Sequence, residues 1–457
     1  MAMRLDAHVD DDRAAHRIRS PIGHHPVPSV EPAGRFGRVI RHHRERGRLT
    51  IQPRMGFAQP DVMLAGLDAV RRARAATVGT VTIDSYTRLN DNVAAREALR
   101  NGADLNGFPL VAHGADVTRR VLDGVADDAF PVQFRHGSAL PQDLFRVLVD
   151  VGADATEGGP VSYCLPYSRV PLEQSTAAWA ECCRMLAERP EPVHLESFGG
   201  CMLGQLCPPG LLVALSVLEG MFFVEHGLRS ISVSYAQQTH PGQDLEAIAA
   251  LRLLASEWLD DVDWHVVVYT YMGVYPRTLR GANRMLEDSV RLAVRSGAER
   301  LIVKTSAEAH RIPTIAENIE ALEFAATVAA DEAAGTPMHR PTRTGIYEEA
   351  RMLILSTLQL GDDVGSALVS AFARGHLDVP YCLHRDNANR SRAVIAPDGT
   401  LQWSEPGAMP VHHSEHAPRA SARGLIEMLR YNEHRLDREQ LTGHPTLGYR
   451  ASHKDGR

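Results

Sequence analysis

From about residue 48, short β-type runs alternate with helical stretches, and this rhythm restricts the chain more than any other feature. Parallel strands need a long crossover, so each repeat adds one parallel strand and one helix to a growing sheet. The candidate strands are residues 49–53, 78–83, 108–112, 131–134, 153–156, 193–196, 231–235, 265–270 and 301–304. Helical segments lie between them, among them 144–151, 209–225 and 245–258. Nine candidates are one more than a closed barrel of eight holds. The segment 108–112 is expected to be an accessory strand or extended loop, because Gly107 and Pro109 weaken it as a central strand. A helix beginning near Pro313, a residue suited to a first helical turn, should run to about residue 334 and complete the barrel. The expected fold is therefore α/β, a TIM (β/α)8 barrel over residues 31–335. Residues 1–30, rich in Asp, Arg, His and Pro without periodicity, read as a flexible N-terminal arm. After the linker-like Gly335-Thr-Pro337, residues 336–457 form a mostly helical C-terminal region, with helices expected at 344–360 and 420–432.

Charge and hydropathy narrow the function. A net charge of −7 gives no electrostatic reason to expect nucleic acid or a membrane surface as partner. No apolar run approaches the roughly 20 residues that span a bilayer. Residues 1–12 carry no apolar core of a secretory signal, so a cytoplasmic protein is expected. The six cysteines, at 164, 182, 183, 201, 207 and 382, include no C-x-x-C pair and read as free thiols.

In a β/α barrel, catalytic groups sit at the C-terminal ends of strands and on the loops that follow. Three arginines hold such places: Arg54 after Gln52-Pro53, Arg88 after Thr82-Ile-Asp-Ser-Tyr-Thr87, and Arg135 after Val132-Gln-Phe134. A guanidinium grips a carboxylate with a two-pronged fork. Three forks converging on one mouth suit a substrate with two carboxylates. Glu157, placed at the end of the expected strand 153–156, offers the opposite charge for an ammonium. The Gly158-Gly159 pair beside it adds no side chain to block a ligand, and Tyr163 and Tyr167 follow in the same loop. Together these groups describe a site for an acidic amino acid.

Of 49 basic residues only Lys304 and Lys454 are lysines. Lys454 lies in a polar tail, whereas Lys304 ends an apolar strand, where a compact ammonium serves and a planar guanidinium does not fit. A Schiff-base role for Lys304 is the alternative chemistry, and a non-catalytic binding barrel the plainer one. The sequence carries no G-x-S-x-G, no Walker A loop and no G-x-G-x-x-G after a strand. His412, His413 and His416 cluster in a polar segment that reads as solvated, and no metal site is expected in this chain.

Taken in order, Gln52-Pro-Arg54 with Gly56, Thr82-Ile-Asp-Ser-Tyr-Thr-Arg88, Asn106-Gly-Phe-Pro109, Arg135-His-Gly137, Glu157-Gly-Gly159 with Ser162-Tyr163, Pro166-Tyr167, Phe198-Gly199, and Val303-Lys-Thr305 with Glu308-Ala309 form a recognisable set. They resemble the large (epsilon) subunit of glutamate mutase, also called methylaspartate mutase. The resemblance runs from about residue 48 to 320 and continues more weakly through Asp378-Val-Pro380. It implies a TIM barrel that sits over adenosylcobalamin carried mainly by a separate small (sigma, or S) subunit, in a heterotetramer with two of each chain. The reaction it implies interconverts L-glutamate and (2S,3S)-3-methylaspartate. A 5′-deoxyadenosyl radical abstracts hydrogen, and the skeleton rearranges through a glycyl radical and acrylate. A relative acting on another acidic amino acid, and a barrel that only partners a cobalamin protein, are the alternatives. Asp6-Ala-His8 resembles the start of a cobalt-ligating D-x-H-x-x-G motif, but Asp11 occupies the glycine position and no Rossmann-like domain surrounds it, so cobalt ligation falls to the partner.

Carried over position by position, the resemblance makes Arg54, Arg88 and Arg135 the claw on the substrate carboxylates. Glu157 becomes the ammonium partner and candidate proton acceptor, with Arg88 beside it in catalysis. Tyr163 and Tyr167 become further substrate contacts. Lys304 and Glu308 would hold the adenosyl ribose, with Gly56, Asn106 and Pro166 near the cofactor and Phe198 and Met272 on its wall. Met55 stands where the family commonly has a second glycine and is expected to narrow the cofactor mouth. The segments 236–242 and 269–275 also depart from the family pattern.

Overall fold

A computed structural model describes residues 30–31, 34–202, 206–335, 345–411 and 421–438. Nearly all of the expected arm, Asp6, His8 and Asp11 with it, lies outside those residues, as do Pro337, His412, His413, His416 and Lys454. Eight parallel strands form one sheet: β1 (Thr50–Gln52), β2 (Gly79–Thr82), β3 (Val132–Arg135), β4 (Ala155–Gly158), β5 (His194–Ser197), β6 (Ser230–Ala236), β7 (Asp263–Tyr269) and β8 (Arg300–Ile302). Their order is β1-β8-β7-β6-β5-β4-β3-β2. The gap between β1 and β2 is bridged by Ile51 lying opposite Thr77, with its N–H on the Ala76 carbonyl at 2.8 Å. Helices surround the sheet, so the fold is the expected (β/α)8 barrel.

Strand side chains alternate between faces. The outward set is apolar and packs under the helices, as with Phe134, Leu195, Ile231 and Leu301. The inward set is polar: Gln52, Gln133, Glu196, Ser232, His265 and Arg300 are all buried. Arg300 pairs with Glu196 and also donates to Gln52 at 2.5 Å, Gln133 at 3.1 Å and Ser232 at 3.1 Å. Every charge on this floor is thus met by a hydrogen-bond partner, as burial demands.

Helix Gly34–Glu45 plugs the N-terminal end of the barrel. Its Phe36 ring stacks on His194 at 4.8 Å and lies 5.0 Å from the Arg300 guanidinium carbon. Burial, reinforced by Arg300, holds His194 well below the ordinary histidine range, so it stays a neutral ring. Helix Pro209–Glu225 is apolar all round because it is enclosed, packed between the barrel and helices Pro241–Trp258 and Gly345–Leu358. Beyond it come helix Val364–Arg374, the antiparallel hairpin β9 (Arg392–Ile395) and β10 (Leu401–Glu405), and two short helices. Among the described residues, no helix is long and apolar enough to cross a membrane.

Several boundaries differ from the sequence reading. Segment 108–112 is not a strand: Phe108 makes one bridge to Ile83 and a helix starts at Leu110. Strand β4 begins at Ala155 instead of residue 153, because Gly152 is left-handed (φ 68) and Asp154 turns aside to accept from Arg35 and the Val132 N–H. Strand β8 stops at Ile302, leaving Lys304 on the loop beyond it. The helix expected at Pro313 starts at Ile315, since Thr314 and Glu317 exchange hydrogen bonds as a capping box. The helix expected over 420–432 is two, Ala422–Leu429 and Tyr431–Arg438.

Candidate active site

Glu157 is the third residue of β4, inside the strand and not at its end, and it points into the barrel at 1% exposure. Its carboxylate is fully engaged. Oε2 accepts from Arg135 Nε at 2.6 Å and lies 2.9 Å from Tyr269 Oη, while Oε1 accepts from the Tyr163 hydroxyl. Burial alone would make Arg135 lose its proton more easily. The charge of Glu157 overrides this and raises its pKa further. Tyr163 is pushed well above the ordinary phenol range by burial and by Glu157, so it keeps its hydrogen and donates it.

Arg88 ends a four-residue helix, Ser85–Arg88, capped by Asp84. It lies against Gly137, where a Cβ would sit 3.0 Å from its Cδ and 3.1 Å from its Nε. That glycine makes room for the arginine. The buried Nε of Arg88 has no hydrogen-bond partner among the described residues. Beside it, His136 Nδ1 accepts from the Ser138 N–H at 3.2 Å, which leaves its hydrogen on Nε2, on the side of the Glu157 backbone carbonyl. Burial and then the Arg88 charge lower His136 to about 3, so the ring is neutral. His136 was not singled out from the sequence, although it sits in the Arg135-His-Gly137 string.

Arg54 is partly engaged: Nη1 donates to Glu308 Oε2 at 3.1 Å and lies 4.0 Å from the Met272 sulfur. Glu308 Oε1 caps its own short helix by accepting the Thr305 N–H at 3.2 Å. The structure therefore pairs two residues that the resemblance sends to different ligands. Tyr167 is 41% exposed at the mouth, and the charges of Arg54 and Arg88 both reach its phenol. Its ring lies 6.1 Å from that of Tyr163. Phe198 is buried, 5.2 Å from Tyr163 and 5.5 Å from Tyr269. Pro166 and Met272 are half-buried, and Asn106 is exposed with its amide on Ser85 at 2.6 and 3.0 Å.

Two expectations are corrected here, and a third glycine gains a packing role. Gly158 and Gly159 do not open the carboxylate to a ligand. A Cβ at Gly158 (φ 134) would meet Trp179 at 2.4 Å and Tyr163 at 2.6 Å, and one at Gly159 would meet the Glu219 carboxyl at 2.1 Å. Met55 does not narrow the mouth: it is buried and packs against Gly66 of helix Pro60–Arg72. Gly56 is required by packing, because a Cβ there would lie 2.2 Å from the Thr82 carbonyl.

Glu219, which the sequence reading did not single out, holds the loop that carries Tyr163. It accepts from the N–H groups of Val161 at 3.1 Å and Ser162 at 2.8 Å, and from the hydroxyls of Ser162 at 3.0 Å and Ser197 at 3.1 Å. Burial pushes its pKa up to about 7, as it does for Asp244 and Glu349. Carboxyls raised in the folded state favour folding below their unfolded pKa and lose that contribution as pH rises through the folded value. Stability to urea should therefore contain a component that falls between pH ~4.5 and ~7. Glu219→Gln should reduce that slope and cost about 1–3 kcal/mol, since one amide oxygen cannot accept from four donors. An unchanged slope in the variant would remove Glu219 from this account.

Fold and site together define a (β/α)8 protein with arginines, a carboxylate and phenols gathered at the C-terminal end of its strands. The sequence comparisons identify the lineage: residues 30–434 match the family described as Methylaspartate mutase E chain (MutE), and the chain belongs to that family. Among relatives, it is 30% identical over 440 residues to the glutamate mutase epsilon subunit of Escherichia coli O157:H7, covering 90% of each chain. It is 30% identical to that of Desulfitobacterium hafniense over 86% of this chain and 85% of the relative. For the Halobacterium salinarum subunit the figures are 31% identity, 81% and 79%.

Proposed function

We propose that this chain is the catalytic subunit of an adenosylcobalamin-dependent glutamate mutase, interconverting L-glutamate and (2S,3S)-3-methylaspartate. The observation that carries the reading is the convergence of Arg88, Arg135, Glu157 and Tyr163 at one end of the barrel, with Arg54 and Tyr167 beside them. Arg88, with its unpartnered Nε, takes one substrate carboxylate, and Arg135 and Arg54 take the other end of the molecule's negative charge. Glu157 accepts the ammonium N–H, and for this one of its present donors must give way. The buried, sealed floor beneath excludes water from reactive carbon centres.

The mouth residues fit a ribose, whose hydroxyls need both donors and acceptors. Lys304 Nζ makes no hydrogen bond among the described residues and lies 5.1 Å over the Tyr275 ring. Glu308 supplies carboxylate oxygens next to it, with Asn106 at the rim. Adenosylcobalamin, when bound, supplies the carbon radical that starts the reaction. The reading assigns the cobalt ligand to a small sigma-type partner, as in the resemblance to the epsilon subunit. Exposed apolar side chains on the mouth loops and the helix starts that follow them support a docked partner: Leu89 and Val93 after β2, Val274 and Leu279 after β7, and Ile312 after β8. Two copies of each chain, in the cytoplasm, complete the proposed assembly.

The test is a product assay. The chain is mixed in the dark with a cobalamin-binding small subunit from the same source, adenosylcobalamin and L-glutamate, and proton NMR is read for the methyl doublet of 3-methylaspartate. A doublet that needs every component supports the reading. Its absence from an assembled, cofactor-loaded complex overturns it, and a panel of other acidic amino acids then tests the nearest alternative. A second expectation concerns pH. Burial and Arg54 lower Lys304 to about 8 against the opposing pull of Glu308, so the ammonium is charged below that pH and neutral above it. Cofactor affinity should weaken as pH rises through about 8, and Lys304→Met should bind weakly at every pH. A wild-type titration flat from pH 7 to 9 would exclude this role.

A further inference from the structure

Tyr269 ends β7 and is fully buried, with its hydroxyl between two carboxylates. Glu196 Oε1 is in hydrogen-bond contact with Oη, and Glu157 Oε2 lies 2.9 Å away. A phenol carries one hydrogen, so it can donate to only one of them. The surroundings decide which. Glu157 Oε2 already accepts the Arg135 Nε–H at 2.6 Å. Glu196 Oε1 has no other donor among the described residues, because Arg300, Gln133 at 3.2 Å and Ser232 at 3.4 Å all serve Oε2. The hydrogen therefore belongs to Glu196, and the phenolic lone pairs face Arg135.

Arg135 uses that oxygen. Its Nε donates to Glu157 and its Nη2 donates to Tyr269 Oη at 3.4 Å, so one edge of the guanidinium spans both oxygens. The guanidinium carbon lies 5.2 Å from the centre of the Tyr269 ring. The remaining amino group, Nη1, makes no hydrogen bond among the described residues. A fork pinned along one edge presents the other in a fixed direction, which is what two-pronged binding of a carboxylate needs.

We propose that Tyr269 is a positioning residue: oriented from below by Glu196 and Arg300, it fixes Arg135 so that the free edge of its guanidinium meets a substrate carboxylate. The role rests on the functional reading above for the substrate, but not for the geometry. Burial, followed by the charges of Glu157 and Glu196, raises Tyr269 well above the ordinary phenol range, so its hydrogen is kept. Neither Tyr269 nor Glu196 was assigned a role from the sequence.

Tyr269→Phe removes the hydroxyl and keeps the ring. In the complex loaded with adenosylcobalamin, KM for L-glutamate should rise about tenfold, the loss of one charge-assisted hydrogen bond, with kcat held within about threefold. A crystal structure of the variant should show the Arg135 guanidinium tilted out of its present plane while Nε stays on Glu157. An Arg135 that keeps its present plane overturns the proposal, and so does a fall in kcat with KM unchanged. A general packing defect would lower thermal stability without that KM-specific pattern. If the wild-type complex does not turn over L-glutamate, the functional reading fails, and the Arg135 position in the variant still decides the positioning role.

Discussion

Glu157→Gln is expected to lower turnover of L-glutamate by on the order of 10²- to 10³-fold while the protein remains folded at a reduced melting temperature. Glu157 and Arg135 are both buried, at 1% and 4% exposure, and joined at 2.6 Å. Removing one partner of a buried pair leaves the other uncompensated and costs about 3–5 kcal/mol. Part of that cost falls on the fold. The rest falls on the site, because glutamine can neither anchor the Arg135 edge as strongly nor neutralise a substrate ammonium. A loss of about 3–4 kcal/mol from the reactive complex corresponds to the rate change stated. The two effects separate in one experiment: urea unfolding reads the fold, and single-turnover rates at saturating L-glutamate read the site. A variant that loses stability but turns over normally would leave Glu157 as a structural ion pair, and the ammonium would need another acceptor.

The barrel was legible because parallel strands and helices alternate over the chain at nearly regular spacing, and glycine and proline mark the odd segment out. Strand ends were less legible. Nothing local announces that Asp154 leaves the strand direction, yet its bonds to Arg35 and Val132 move β4 by two residues and draw Glu157 inside the barrel. Gly158-Gly159 illustrates the same limit: a glycine pair can admit a ligand or admit the protein's own Glu219 and Trp179, and only the packing distinguishes the two. The charge partners were least legible, because Arg54 and Glu308 are 254 positions apart and Arg135 and Tyr269 are 134 apart. One signal was available in the strands themselves. Gln133 and Arg135, His194 and Glu196, and Ser230, Ser232 and Ser234 occupy every second position of otherwise apolar strands. A period of two places such residues on one face, and here that face is the barrel interior.

The interior carries the second large expectation. Arg300→Met should destabilise the protein by about 3–5 kcal/mol, read as a lower urea midpoint with an unchanged slope. Arg300 and Glu196 are both fully buried, and the guanidinium also holds Gln52, Gln133, Ser232 and His265 Nε2, the last at 3.2 Å. Methionine fills much of the volume but donates nothing, so Glu196 would keep its charge without a cation and four neighbours would lose a donor. Adding Glu196→Gln should recover a substantial part of the loss, since the stranded charge is its largest component. The double variant should not recover the wild-type KM for L-glutamate, which should stay raised by up to the roughly tenfold expected for Tyr269→Phe. Glu196→Gln puts a neutral amide where Tyr269 now meets a carboxylate, so the phenol would be held less firmly toward Arg135. Stability and activity would then part company in one protein, which a floor serving only to fill the barrel does not predict. Recovery of both would reduce Glu196 and Arg300 to packing, and the orientation of Arg135 would have to come from Glu157 alone.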